Sequence, residues 1–567
     1  MSFVPRYAVL NLAVLLLTFA SPSSAARRGE LALRYTPLDL PGAPSVVLPA
    51  DVDGDGLRDL VVVVAWSGWD RIGIEESVEM RNVPGAAEAG LDNVEGLVEV
   101  LTVIPALMDR REVRVFPGRP DGTFAPEGPT LPLDTSVLSL EAGPPGLPIV
   151  ALTDRGLSAL RLRDGALALE PVLEDRPVLA GTGTFVPNLG MTRDLDGDRT
   201  PDLLFPAAGG ATVYLSGREG LRTEPAARLR FPEDPPRRSG GALVGYYPLP
   251  EVRDVNGDHL PELLLARPGQ EWEGFRIFRN QGGGRFAGPA APLGEPRKNP
   301  DADPRRPRQD TARVVYVGDL GAAGERGGAE YVTAREVPVG DDAGVRKELA
   351  HARRPPHVYG FHRMRSDLSM EPKPYQELKV TGYAFGGGES DIRLPGGFQD
   401  LNGDGRQDLV TLTLDFSVFQ AVKIMTVRRI SIGLDFHVWC QEPNGRFREV
   451  QGLDLSGKFN LDLDNLRLGH LSQFAGDFDG DGRVDFLQMG RGKAVTIHRG
   501  RADCSYPARP DLAIQLQEPP RDLGLVQVRD FDGDNLSDLL VIQPTKAAEP
   551  GLTPPVRLDF YLSGGAS

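Results

Sequence analysis

DVDGDGLRDLVVVV, residues 51–64, sets Asp51, Asp53, Asp55 and Asp59 around Gly54 and Gly56 and then turns into unbroken hydrocarbon. Acids at alternate positions of a tight glycine turn suit a hard cation, which takes roughly six to eight oxygens at about 2.3–2.6 Å. The spacing 1, 3, 5, 9, with a backbone carbonyl from the seventh position, offers such a set. An EF-hand opens the same way but closes on a twelfth-position Glu and runs into a helix. Here the twelfth position is Val62, and the run that follows suits a buried strand.

The motif returns as DLDGDRTPDLL from Asp194, DVNGDHLPELL from Asp254, DLNGDGRQDLV from Asp400, DFDGDGRVDFL from Asp477 and DFDGDNLSDLL from Asp530. Their twelfth positions are Phe205, Leu265, Thr411, Gln488 and Val541, so none is an EF-hand. The anchors lie 143, 60, 146, 77 and 53 residues apart, which also excludes a nine-residue calcium solenoid. An apolar stretch such as PSVVLPA or LVQVR precedes each loop, so the motif joins two strands of a hairpin.

The two longest gaps each hold a worn copy. VLSLEAGPPGLPIVALTDRG, from Val137, keeps strand, loop and strand but has lost the acids; VVYVGDLGAAGERGGAEYVTA, from Val314, keeps Asp319 and little else. Both are expected to fold without a metal. After each unit comes an outer strand, from RVFPGRPDGTF to the terminal FYLSGGAS, eight in all. The last stops at its turn, while ELALRYTPLDL near the amino end stands as an orphan strand. The expected fold is therefore all-β: one β-propeller of eight four-stranded blades, closed by pairing the chain's two ends so that no sheet edge is left open. Seven blades is the alternative count.

The loop D-x-(D/N)-G-D-x-x-x-(D/E)-(hydrophobic), joined to hairpins such as DGTF, GGRF and NGRF, resembles the FG-GAP or VCBS repeat proteins, bacterial relatives of the integrin alpha-chain propeller. The resemblance implies calcium in the loops and a role in adhesion or ligand binding, sometimes beside a fused enzyme. Its ligands fall on Asp51, Asp53, Asp55 and Asp59; Asp194, Asp196, Asp198 and Asp202; Asp254, Asn256, Asp258 and Glu262; Asp400, Asn402, Asp404 and Asp408; Asp477, Asp479, Asp481 and Asp485; and Asp530, Asp532, Asp534 and Asp538. Glu262 departs from the family pattern, as do eight blades against the seven of integrins. Six structural Ca²⁺ ions would bring the formal net charge from −16 to about −4.

That acidic balance argues against nucleic acid and anionic membrane as partners. Gly 67 and Pro 50 are spread through the 567 residues, as many short strands and turns require. Arg6, an apolar run from Ala8 to Ala20 and small residues up to Ala25 have the layout of a signal peptide over 1–25, leaving a propeller over 26–567 in the periplasm or outside the cell. The run is too short to span a bilayer, so no membrane insertion is expected after cleavage. Cys440 and Cys504 follow outer strands of adjacent units, and either bridge them or stay as two thiols.

No nucleophile elbow, Walker loop or dinucleotide fingerprint is present. The seven histidines form no metal pair; His357, His437 and His498 fall in or beside outer strands and read as packing residues. Insertions at about 66–112, 333–356 and 411–435 are where a partner site is expected, with Trp66 and Trp69 suited either to a sugar ring or to the core. The functional expectation is a monomeric, non-catalytic module for a protein or glycan ligand. The rivals are a carbohydrate-active enzyme, such as a propeller-type polysaccharide lyase, and a subunit of a surface assembly.

Overall fold

A computed structural model describes residues 31–564 with interruptions, the longest at 68–107, 266–275, 299–310, 338–346, 383–396, 416–428 and 545–553. The proposed signal peptide, Trp69, His470 and most of the three insertions lie outside the described residues.

Eight antiparallel sheets follow one another along the chain. Their first strands are Ala43–Ala50, Val137–Ala142, Thr192–Arg193, Glu251–Arg253, Thr311–Gly318, Gly397–Gln399, Gln473–Phe474 and Val526–Arg529, which number the blades one to eight. The first strands of blades eight, one, two and three wall a single cavity, so first strands are innermost. Blade five carries a further strand, Arg297–Lys298, inside its first. Blade six splits its outer layer, because Phe447–Glu449 and Ser456–Asp462 both pair with the long strand Arg429–Gln441.

The hydrocarbon run after Asp59 now has a physical reason. Leu60, Val61, Val62, Val63 and Val64 are all 0% exposed. Leu60, Val62 and Val64 pack with Leu540, Leu558 and Phe560 of blade eight, whereas Val61 and Val63 pack with Leu140, Ile149 and Leu160 of blade two. A second strand is covered on both faces by its neighbours, so both its face sets must be apolar. Leu539 and Val541 likewise face blade seven while Leu540 and Ile542 face blade one. The core of this fold is consequently eight apolar layers between blades, among the described residues.

The ring closes as expected. Leu33–Leu40 pairs antiparallel with Val556–Ser563 from Leu33↔Ser563 to Leu40↔Val556. Leu38 and Leu40 enter the layer between blades eight and one, and Tyr35 donates its hydroxyl to Asp559 Oδ1 at 3.0 Å.

The cysteines form a bridge, Cys440–Cys504, with Cα atoms 5.8 Å apart. It joins the third strand of blade six to the hairpin of blade seven, inside the apolar layer those blades share. Replacing both cysteines by serine is expected to lower unfolding stability by about 2–4 kcal/mol, because the bridge closes a long loop of the unfolded chain. Urea denaturation of the double variant checks this, and an unchanged midpoint would count against it.

Candidate metal centres

All six acid loops join a first strand to a second, and all six are wound by the same bonds. In blade one, Asp51 accepts from Gly54 N at 2.7 Å and Gly56 N at 3.1 Å, Asp53 from Asp55 N at 3.1 Å, and Asp55 from Leu57 N at 2.8 Å. The same bonds start from Asp194, Asp254, Asp400, Asp477 and Asp530. The winding needs positive φ at the fourth and the sixth positions. The fourth is glycine throughout, but the sixth is Arg199 (φ 67°), His259 (φ 66°) and Asn535 (φ 68°) in three loops. His259 thus holds a strained turn position.

The ninth-position acid does two jobs. Asp59 is 1% exposed and starts the second strand. Its Oδ2 accepts from Val52 N at 2.9 Å, closing the loop, and its Oδ1 accepts from Gly118 N at 2.9 Å, just past the third strand. Asp202, Asp408, Asp485 and Asp538 bind Ser216 N, Gln441 N, Gly500 N and Ser563 N in the same way. Each therefore ties three strands of its blade whether or not an ion is bound. Glu262 closes its loop in the same way, accepting from Val255 N at 3.0 Å, and its Oε1 also accepts from Asn256 Nδ2 at 2.9 Å.

Burial removes the water that would support these charges, and neighbouring acids add to the effect. It pushes Asp485 and Asp538 up to about 7, Asp202 and Asp408 to about 6, and Glu262 to about 7, against the opposing pull of their backbone N–H bonds.

Four loops bring their first, third and ninth acids into groups able to hold a metal ion: Asp51, Asp53 and Asp59; Asp194, Asp196 and Asp202; Asp477, Asp479 and Asp485; Asp530, Asp532 and Asp538. In these groups the ligand oxygens lie within 4.8 Å of one another. The fifth-position acids Asp55, Asp198, Asp481 and Asp534 fall outside them, and Arg483 pairs with Asp481 at 2.5 Å. The loops of Asp254, Asn256, Asp258 and Glu262, and of Asp400, Asn402, Asp404 and Asp408, have the same winding with an amide at the third position. Asn402 Nδ2 also donates to Ala502 O at 3.0 Å, a carbonyl that an Asp there would be repelled by. A further group, Asp408 with Cys440 and Cys504, is no metal site, since bridged sulfurs are not thiolates. The donors of the six loops are oxygen throughout, which suits Ca²⁺ or Mg²⁺ rather than zinc.

The worn loops keep more than their sequences suggest. In blade five Glu330 takes the ninth-position role: its Oε2 accepts from Leu320 N at 3.1 Å, the bond Asp59 makes to Val52. An enlarged loop had hidden it from a count of nine. In blade two Glu141 is 6% exposed and binds across to Met191 N at 3.0 Å.

Elsewhere, His362 and His498 are buried against the carbonyls of Glu371 and Pro507, each at 2.8 Å. His437 lies 3.7 Å from Glu449. Trp66 donates to Pro41 O at 3.1 Å beneath the Arg110 guanidinium. Among the described residues no helix is long and apolar enough to cross a membrane.

No protein-family model matches the chain, and no curated protein matches it. Among solved structures, it is similar to a protein provisionally assigned as a 6-phosphogluconolactonase from Bacteroides uniformis, at 11% identity and a TM-score of 0.24, covering 72% of this chain and 93% of that one. It is also similar to a family 117 glycoside hydrolase from Zobellia galactanivorans, at 12% identity and a TM-score of 0.18, covering 52% and 73%. The fold stands on the chain's own sheets. It is an eight-bladed β-propeller with acid loops repeated around the ring.

Proposed function

We propose that the protein is an exported, calcium-stabilised propeller of the FG-GAP or VCBS type that serves as a non-catalytic binding module for a protein or glycan. The observation that carries the metal reading is the gathering of first, third and ninth acids in four loops of identical winding. Asn256 and Asn402 extend it to the other two, since an amide oxygen also ligates calcium. Calcium acts here on the fold: each ion relieves a knot of carboxylates gathered around one buried acid at the start of a second strand, and external millimolar calcium over a site of about 10⁻⁵ M adds about 2.7 kcal/mol per site. The Cys440–Cys504 bridge supports an extracytoplasmic location, where disulfides persist. The protein works as a monomer, without nucleic acid and without insertion into a membrane.

Equilibrium dialysis against calcium is the test of the metal sites. About six ions per chain are expected, and one fewer when Asp194 and Asp196 are both changed to alanine. A chain that retains no calcium above its Mg²⁺ background overturns the reading. Glycan screening with detection of unsaturated products addresses catalysis, because their release would make the protein a lyase.

A further inference from the structure

We propose that the acid loops take up calcium as two coupled runs, blades six, seven, eight and one in the first and blades three and four in the second, with an ion in one loop strengthening binding in the next. This rests on the reading of the loops as calcium sites and adds how those sites regulate one another.

The coupling follows from bonds that run between loops rather than within them. In the first run the eighth residue of each loop donates to the start of the loop on the preceding blade. Val484 N reaches Leu401 O at 2.9 Å, from blade seven to blade six, and Ser537 N reaches Asp477 O at 2.8 Å, from blade eight to blade seven. Asp477 N returns a second bond to Ser537 Oγ at 2.9 Å. From blade one to blade eight the donor is a guanidinium: Arg58 reaches Asp530 O at 3.0 Å and Asp530 Oδ2 at 3.3 Å. In blade four the eighth residue is Pro261, which has no N–H to give. Asn280 Nδ2 stands in for it, donating to Leu195 O of blade three at 2.7 Å and to Pro261 O at 2.9 Å. Those two bonds use both hydrogens of a buried amide.

The loops also touch. A Cβ on Gly403 would run into Gly482 O, and one on Gly197 would stand 2.7 Å from His259 O. The fourth-position glycine therefore makes room for the sixth position of the next loop as well as turning its own.

Both ends of a link lie beside ligands. Leu401 shows the path: its N–H donates to Asp408 Oδ2 at 3.0 Å, and its carbonyl accepts from Val484, the residue before Asp485. Like charges push an ion-free loop open. An ion that closes one loop fixes the donors and carbonyls its neighbour needs, so the second ion has less chain to order. The runs stop where the acids stop. Blade two has no acid loop. Blade five offers Leu320 O to Gln407 N at 2.9 Å, but among the described residues its loop forms no acidic group able to hold an ion.

Hydrogen exchange of the full mature protein, read by mass spectrometry on peptides spanning each acid loop across a calcium titration, tests this. Asp477→Asn with Asp479→Asn removes two charges of the blade seven site and leaves amide oxygens to accept the winding bonds. The pair is expected to raise the calcium midpoints of the blade six and blade eight loops about fivefold or more, while those of blades three and four stay unchanged. Ser537→Pro cuts the link between blades seven and eight with a residue that already stands eighth at Pro201 and Pro261. In that background the blade seven pair is expected to leave blade eight unmoved while blade six still responds. Neighbouring loops unmoved by the blade seven pair, all loops shifted alike, or blade eight still responding behind Ser537→Pro overturns the proposal. A cooperative melt in calcium qualifies each variant as folded. If the Ser537→Pro chain fails that control, Asp194→Asn with Asp196→Asn, read on the blade four loop with and without Asn280→Leu, decides. Loops that respond to calcium independently defeat this proposal alone; no loop responding to calcium defeats the metal reading and the coupling with it.

Discussion

A chain ending before Val556 is expected to show no cooperative thermal transition. The strand Val556–Ser563 is paired on both sides, to Asp538–Pro544 and to Leu33–Leu40. Removing it bares both of those strands at once and deletes Val556, Leu558, Phe560, Tyr561 and Leu562, none more than 3% exposed. It also takes away Ser563 N, which donates to Asp538 Oδ1 at 2.7 Å. At about 1.5–3 kcal/mol for each buried side chain, the apolar loss alone is about 10 kcal/mol. That is comparable to the whole stability of a typical domain. The bared edges would then invite association between chains. Circular dichroism during heating, with size-exclusion chromatography, reads the outcome. A permuted chain that links Ser563 to the Leu33–Leu40 strand and opens between two other blades is expected to fold, because every pairing survives. A truncated chain melting at the wild-type temperature would show that the ring does not depend on this closure.

The closure was legible in the sequence because it rests on a count: eight outer strands, the last without a return partner, and one orphan near the amino end. The acid loops were legible because their ligands lie within nine residues of one another. The clasp from Asp59 to Gly118 was not, since it spans 59 residues and ends on a backbone N–H that any residue supplies. Glu330 escaped for a related reason, as the chain between it and Leu320 is longer than in the other loops while the bond is kept. The requirement for positive φ at the sixth position was masked where Arg199 and His259 stand in place of glycine.

The buried acids give the metal-free protein an unusual pH response. Asp485 and Asp538 sit near 7 and Asp202 and Asp408 near 6 in the folded chain, well above ordinary aspartate, because burial disfavours their charge. Between about pH 4 and 7 the folded state therefore holds more protons than the unfolded state, and the stability these groups contribute falls as pH rises through that window. A shift of about 2 units or more corresponds to roughly 3 kcal/mol for one group, so even partly additive effects are large. An ion in each loop replaces the proton as the partner of the carboxylates. Without calcium, melting temperature is expected to be higher at about pH 5 than at about pH 8, and calcium to raise it several times more at the higher pH, where protons no longer compete. Melting with and without chelator at both pH values checks this; a chelator effect equal at the two sinks it. Glu330 provides the internal control. Burial holds it near 7, with Asp319 adding to the shift, and among the described residues its loop forms no acidic group able to hold an ion. A residual loss of stability with rising pH should therefore persist in saturating calcium, and Glu330→Gln should reduce it, since the amide oxygen can still accept from Leu320 N, leaving the part due to Glu141, which burial also pushes up.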